Sequence, residues 1–565
     1  MLLLLLLQTC IINAIVLVAI VVAQQSPAKE EHCVSVETGI FCGTMKTVLD
    51  RKLVEYLSVP FGQPPIGKLR FKPPKPKKSW NGKVKATELS PACPQLRDNA
   101  FGDEFWGSNM WNPNTKMSED CLYLNIWAPM NAHKLPVMVW IFGGGFVSGS
   151  PSLALYNGAA MAAKSNVIVV NLNYRVGIFG FGYLDDSSMP GNMGLLDQRL
   201  ALQWVKTNIK ALGGDPDKVT LFGESAGSAS VSAHIIAKAS QPLFAAAIMQ
   251  SASILAPWVD SHDLALEKTK TYAEALGCST KDVLASKIAD CLRKKPAEDI
   301  LAKSENLPGL GYLEFVSSAV TEDENFFAGD AHELLEQPIP AKPYLLGYNA
   351  DEAAFFNAYY LPDYFDVNSP WVLSRGQFIA ATSEAYPGTS ALDSVQRRAL
   401  MFEYESSKYG SYANSFDELV GDNKFVCPVM DFGRHLAANL GDRADKGAGV
   451  WLYYFNHTVS TNPWPHEMGV LHGYEIELVF GQPLVNDSYT DEERSFSDEL
   501  LMIWTNMTNI ASMYTDWSPV PSDPAESVTL KVLQPNAEDE YLTNYKIDEC
   551  KFWNELKTLD VCELP

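Results

Sequence analysis

One stretch, residues 219–239, constrains this chain more than any other. An apolar run, Val219-Thr220-Leu221-Phe222, enters Gly223-Glu224-Ser225-Ala226-Gly227, and a small-residue, helix-compatible stretch leaves it. Strand, Gly-x-Ser-x-Gly and helix in that order form the context of a nucleophile elbow. The two glycines allow a sharp turn that lifts the serine hydroxyl clear of the sheet's end. The pentapeptide alone is a weak signal, since an ordinary Gly-Ser turn also matches it. A base, an acid and an oxyanion hole must come from elsewhere in the chain.

The surrounding pattern supports a sheet of the right kind. Continuous apolar runs at 136–141, 167–170 and 244–249 fit strands buried on both faces, the habit of parallel sheets under helices. Residues 193–212 carry Leu195, Leu196, Leu200, Leu202, Trp204 and Ile209 at the spacing of a half-buried helix. Further strands are expected at 343–347 and 450–455. Alternating strands and helices define an α/β class with a mostly parallel central sheet. Residues 256–340 and 357–445 read mainly as helices and loops inserted at the sheet's C-terminal edge. Residues 30–90 read as Pro-rich and short-stranded. A globular balance, 47% hydrophobic and 20% charged over 565 residues, fits one elaborated domain of this class.

Candidate partners for the serine follow. Phe142-Gly143-Gly144-Gly145-Phe146 directly follows a strand, and glycines there bring backbone N–H groups close to a developing oxyanion. No phosphate-loop or dinucleotide fingerprint is present. In an α/β-hydrolase the order is Ser, then Asp or Glu, then His. His472, in Gly469-Val470-Leu471-His472-Gly473-Tyr474-Glu475, is the base candidate. Glu352 and Asp351, just after a strand, are rival acids that the residues alone do not separate. His466-Glu467 with His472 does not make a zinc spacing, so no metal is expected.

Residues 1–23 are almost wholly apolar and precede polar Gln24-Gln25-Ser26. This reads as a secretory signal peptide, although no Lys or Arg precedes the apolar run; an uncleaved signal anchor is the alternative. No later stretch is long and apolar enough to span a bilayer. Sequons at Asn456, Asn486 and Asn506 fit the secretory route. The net charge of −23 repels nucleic acid and attracts cations. Nine cysteines lie beyond the apolar leader. An odd number in a secreted chain points to an intermolecular bond or a free thiol.

The motifs above, together with Met110-Trp111-Asn112-Pro113-Asn114 and Ser118-Glu119-Asp120-Cys121-Leu122-Tyr123-Leu124-Asn125, resemble the cholinesterase–carboxylesterase family of α/β-hydrolases, from about residue 40 to 555. The resemblance implies a triad of Ser225, Glu352 and His472, and so selects Glu352 over Asp351. It implies oxyanion donors at Gly144, Gly145 and Ala226, and no cofactor. It places Trp111, Glu224, Tyr156, Phe355 and Phe356 around a choline-binding pocket, Leu313 and Phe315 at the acyl pocket, and Asp98 and Tyr359 at the mouth of a deep gorge. Leu313 stands where vertebrate relatives carry phenylalanine, which widens the acyl pocket. Leu96, Val147 and Ser304 stand where aromatics are common, which depletes the outer site. The implied disulfides are Cys93–Cys121, Cys278–Cys291 and Cys427–Cys550, leaving Cys33 and Cys42 as candidates for a local pair, whose pairing the sequence leaves open, and Cys562 as a candidate link between subunits. The expected function is a secreted serine esterase with a small cationic choline ester as substrate, its mature unit running from residue 24 to 565. A broad carboxylesterase for neutral esters and a non-catalytic adhesion protein of the same fold are the alternatives.

Overall fold

The computed structural model describes residues 31–257, 260–304, 321, 323, 325–327, 329, 331–386, 393–444, 447–507, 516–537 and 540–558. The apolar runs of the sequence become the middle of the sheet. Seven strands lie parallel in the order Ile168–Leu172, Leu135–Ile141, Gly214–Glu224, Ala246–Gln250, Pro343–Asn349, Gly449–Phe455 and Thr529–Leu533. Every residue of Ile168–Leu172, Ala246–Gln250 and Pro343–Asn349 is buried, because helices such as Ala226–Ile236, Met193–Asn208 and Cys427–Leu440 pack against the sheet. Antiparallel strands extend both edges, and Lys83–Lys85, pairing parallel with Gly39–Val48 off the main order, brings the sheet to thirteen strands among the described residues.

This order fixes where a site can form. From Leu135–Ile141 the chain goes first to one neighbour, Ile168–Leu172, and later to the other, Gly214–Glu224. Such a reversal opens a crevice at the carboxyl ends of the strands. The loop 142–146 leaves the first of these ends and Ser225 leaves another.

The helix expected at 193–212 is Met193–Asn208, continued by a tighter turn at Ile209–Leu212. The inserted segments are helical where described, with His262–Ala275, Ala285–Arg293, Arg375–Ala385 and Tyr412–Gly421 among them. The N-terminal expectation of short strands is corrected. Gly39–Val48 and Arg51–Pro60 are ten residues each and form a hairpin. Its two-residue turn has Leu49 and Asp50 at φ 48° and 59°. That geometry normally signals itself through Asn-Gly or Asp-Gly, so the sequence gives no cue here.

The disulfides pair Cys93 with Cys121, Cys278 with Cys291 and Cys427 with Cys550, and Cys33 with Cys42. Cys562 and the apolar leader lie outside the described residues. No described helix is long and apolar enough to cross a membrane.

Candidate active site

The turn after Gly214–Glu224 is strained in the way an exposed nucleophile needs. Ser225 sits at φ 56°, ψ −125°, between the strand and helix Ala226–Ile236. Its N–H donates to Gln250 O at 2.8 Å, which anchors the turn to the next strand. The flanking glycines are required by contact. A Cβ on Gly223 would lie 2.6 Å from the Gly227 carbonyl, and one on Gly227 would lie 2.0 Å from Ile141 O.

Across the crevice, the 142–146 loop folds back on itself. Gly144 and Gly145 have φ of 110° and 60°. A Cβ on Gly144 would strike Ser148 O at 2.6 Å. Among the described residues the N–H groups of Gly144, Gly145 and Ala226 donate to no protein acceptor. All three residues line one cavity of about 260 Å³ together with Ser225 and His472. Ala226 also opens its helix, whose N-terminal end favours negative charge.

Glu352 and His472 meet from two later strand ends. His472 Nδ1 lies 2.5 Å from Glu352 Oε2, and Glu352 Oε1 accepts from Asn349 N at 2.7 Å. Glu352 is 1% exposed, so its charge has no solvent to turn to. Asp351, the rival acid, faces away: its Oδ2 accepts from Val470 N at 2.7 Å. On the other side of the ring, Nε2 lies 3.0 Å from Glu224 Oε1, but that oxygen is not in line for a hydrogen bond. Burial disfavours the imidazolium, while Glu224 and Glu352 favour it more strongly, so the balance shifts the His472 pKa upward. Behind them Glu475 accepts from Gln250 Nε2 and Asn349 Nδ2, each at 2.8 Å. Burial and the Glu224 charge push its carboxyl up to about 7.

Aromatic rings close the rest of the cavity. Trp111, Phe355, Phe356, Tyr156 and Tyr359 line it, together with Glu224. Trp111 meets Tyr474 edge-on at 6.0 Å. Phe355 packs against Phe356 at 5.4 Å and Tyr359 at 4.7 Å. Phe356 lies 5.0 Å from the His472 ring, so it belongs to the site and not only to the core. The Asp98 carboxylate accepts from the Tyr359 hydroxyl. Asn112 pins the Asp98 backbone from both sides at 2.7 Å, which ties this acid to the Trp111 motif.

Leu96 and Val147 do line the cavity, whereas Ser304 ends helix Ala297–Ser304 and is not part of its lining. Leu313 and Phe315 lie outside the described residues. Sequence reasoning missed several cavity residues, Gln95, Leu153, Tyr360 and Phe425 among them; the Phe425 ring is 4.7 Å from His472. It sits in a wide π-type turn, Asp422–Val426, which no motif marks. Of the sequons, Asn456 and Asn486 are exposed and Asn506 is half-buried, its amide donating to Met502 O at 3.0 Å. No cluster able to hold a metal occurs among the described residues.

The geometry, a strained serine, an imidazole on a buried carboxylate and free N–H groups in one cavity, is that of a serine hydrolase. The sequence profile of the Carboxylesterase family matches residues 30–553. "Acetylcholinesterase 4" of Caenorhabditis briggsae is 41% identical over 495 residues, covering 84% of this chain and 81% of that protein. "Cholinesterase" of Mus musculus is 37% identical over 549 residues, 94% of this chain and 87% of that protein. "Acetylcholinesterase 1" of Caenorhabditis elegans is 37% identical over 532 residues, 89% and 84% respectively. The chain therefore belongs to the carboxylesterase family of α/β-hydrolases. It is a serine carboxylic ester hydrolase of the cholinesterase type.

Proposed function

We propose that this enzyme hydrolyses acetylcholine to choline and acetate through an acyl-serine on Ser225, and that it does so as a secreted protein whose mature unit is residues 24–565. The observation that carries this reading is the shared cavity. The aromatic faces of Trp111, Phe355 and Tyr359 and the carboxylate of Glu224 line the same space as Ser225 and His472. A quaternary ammonium offers no hydrogen-bond donor, so aromatic faces are its natural partners, worth about 2 kcal/mol or more when desolvated. Glu224 adds a negative charge that a neutral ester would not use.

In the first half-reaction His472 Nε2 takes the proton from the Ser225 hydroxyl as its oxygen attacks the ester carbonyl. Glu352 holds Nδ1–H and stabilises the imidazolium that forms. Gly144, Gly145 and Ala226 N–H groups receive the oxyanion. The imidazolium then returns the proton to the leaving choline oxygen. In the second half, His472 takes a proton from water as its oxygen attacks the acyl carbon, and the imidazolium returns that proton to Ser225 Oγ as the acyl–serine bond breaks and acetate leaves. No cofactor takes part.

A phosphonate ester probe tests the catalytic assignment. We expect one adduct, on Ser225, forming in step with loss of activity. An adduct elsewhere with Ser225 unmodified would overturn it. Leu313, which the resemblance assigns to the acyl pocket, argues for measurable turnover of butyrylthiocholine beside acetylthiocholine. Dimerisation through Cys562 is part of the same reading, and a non-reducing gel showing monomer alone would count against it. A broad carboxylesterase is the second reading, favoured by the depleted outer site, where Leu96 and Val147 replace aromatics.

A further inference from the structure

The acid that does not face the imidazole has a place of its own in the site. Segments 349–352 and 470–472 touch at four points. Asp351 N donates to Val470 O at 3.1 Å, and Val470 N donates to Asp351 Oδ2 at 2.7 Å. Asn349 Nδ2 donates to Leu471 O at 2.8 Å. His472 Nδ1 meets Glu352 Oε2 at 2.5 Å. Adjacent acids on one strand end thus hold two levels of one loop: Glu352 takes the ring, and Asp351 takes the backbone two residues earlier.

That loop needs holding. It is bounded by Gly469 and Gly473, at φ 71° and 80°, and glycine has the most backbone freedom to lose. Gly469 also makes room for the carboxylate: a Cβ there would lie 2.2 Å from Asp351 Oδ2. A hydrogen bond to an ionised carboxylate is roughly twice as strong as a neutral one.

We propose that Asp351 is a positioning residue for the base, fixing the backbone of the His472 loop through Val470 N so that the imidazole meets Glu352 and Ser225 together. The proposal rests on the Ser225–Glu352–His472 reading. Asp351 is set among Glu352, Glu418 and Asp417, with the Lys546 ammonium as the cation facing them. Burial raises its carboxyl most, the Val470 N–H opposes that, and the result is a group at about 6. It is therefore ionised in the alkaline range where a raised His472 is neutral.

The test compares kcat and KM for acetylthiocholine in the full chain. Asp351→Ala removes the acceptor. We expect kcat to fall about 10–100-fold, the size of a small misplacement of a catalytic group, with KM unchanged within about twofold. Asp351→Asn keeps an oxygen toward Val470 N and should recover most of kcat. Gly469→Ala reaches the same bond from the other side, by crowding the carboxylate. It should lower kcat by itself, and by less in the Asp351→Ala background, where the collision is gone and only the strain of a Cβ at φ 71° remains. A folded Asp351→Ala enzyme with wild-type kcat, an Asn variant no better than Ala, or full additivity of the two changes would each overturn the proposal. If Asp351→Ala does not fold, Asp351→Leu, of similar shape but without an acceptor for Val470 N, decides by the same kcat readout. Ser225→Ala and His472→Ala separate the two claims: activity in either sinks the triad itself, while both dead beside a fully active Asp351→Ala sinks only the positioning role.

Discussion

His472 stands between two carboxylates, and this decides how its activity must depend on pH. Glu352 receives Nδ1 and Glu224 lies 3.0 Å from Nε2. Both favour the protonated ring, outweighing burial. The base works only when neutral, so kcat/KM rises as pH passes upward through the His472 pKa, and the acid limb lies above the ordinary imidazole value of about 6.5. Glu224→Gln removes one of the two charges. The limb should then move to lower pH, even as affinity for a cationic ester falls. A pH–rate profile in which it stays put or moves up would contradict this balance. Residue identities at this scale were largely legible: Ser225, His472 and the glycine loop each sit in a motif that the chemistry demands. Asp351 and Glu352 were not separable from the residues alone, because both are acids at one strand end and their opposite directions are a property of the backbone. Phe425 was invisible because a wide helical turn, not a local pattern, brings it to the imidazole.

The elbow is an element in which strain and packing coincide. Helix Ala226–Ile236 lies so close to strand Leu135–Ile141 that Gly227 has no room for a methyl group against Ile141 O, 2.0 Å from where a Cβ would sit. Gly227→Ala must push the helix off the sheet or open the turn. Overpacking of this kind costs about 1–3 kcal/mol. A thermal melt should show a clear fall in Tm and activity together; an unchanged Tm would show that the helix has slack that this packing denies. Six of the seven parallel strands were readable from their continuous apolar runs, since burial on both faces leaves no alternation to mislead; Thr529–Leu533, a short run interrupted by Lys531, was not. The N-terminal hairpin was not, because Leu49 and Asp50 adopt positive φ without the residues that advertise it. Long strands there are imposed by pairing with Tyr123–Pro129 and by the Cys33–Cys42 bond.

At the scale of the whole molecule, charge and aromatic lining act at different ranges. A net charge of −23 draws cations toward the surface over roughly 8–10 Å at physiological salt, and salt weakens that attraction. kcat/KM for acetylthiocholine should fall as ionic strength rises, while its uncharged 3,3-dimethylbutyl isostere should be nearly indifferent. Equal salt dependence for both esters would remove any steering role for the surface. In the proposed reading the ammonium then meets Trp111, carried on the loop closed by Cys93–Cys121, and Phe355, carried on helix Ala354–Tyr360, which line one cavity. Two distant pieces of chain thus line one space, the cation subsite that we propose. The most direct measurement of that claim is the ratio of kcat/KM for acetylthiocholine to that for the 3,3-dimethylbutyl ester, in the wild type and in Trp111→Ala, with Ser225→Ala as blank. A strong preference for the cation that collapses in Trp111→Ala is expected. Comparable rates for the two esters in the wild-type enzyme would contradict it and assign the site to neutral esters.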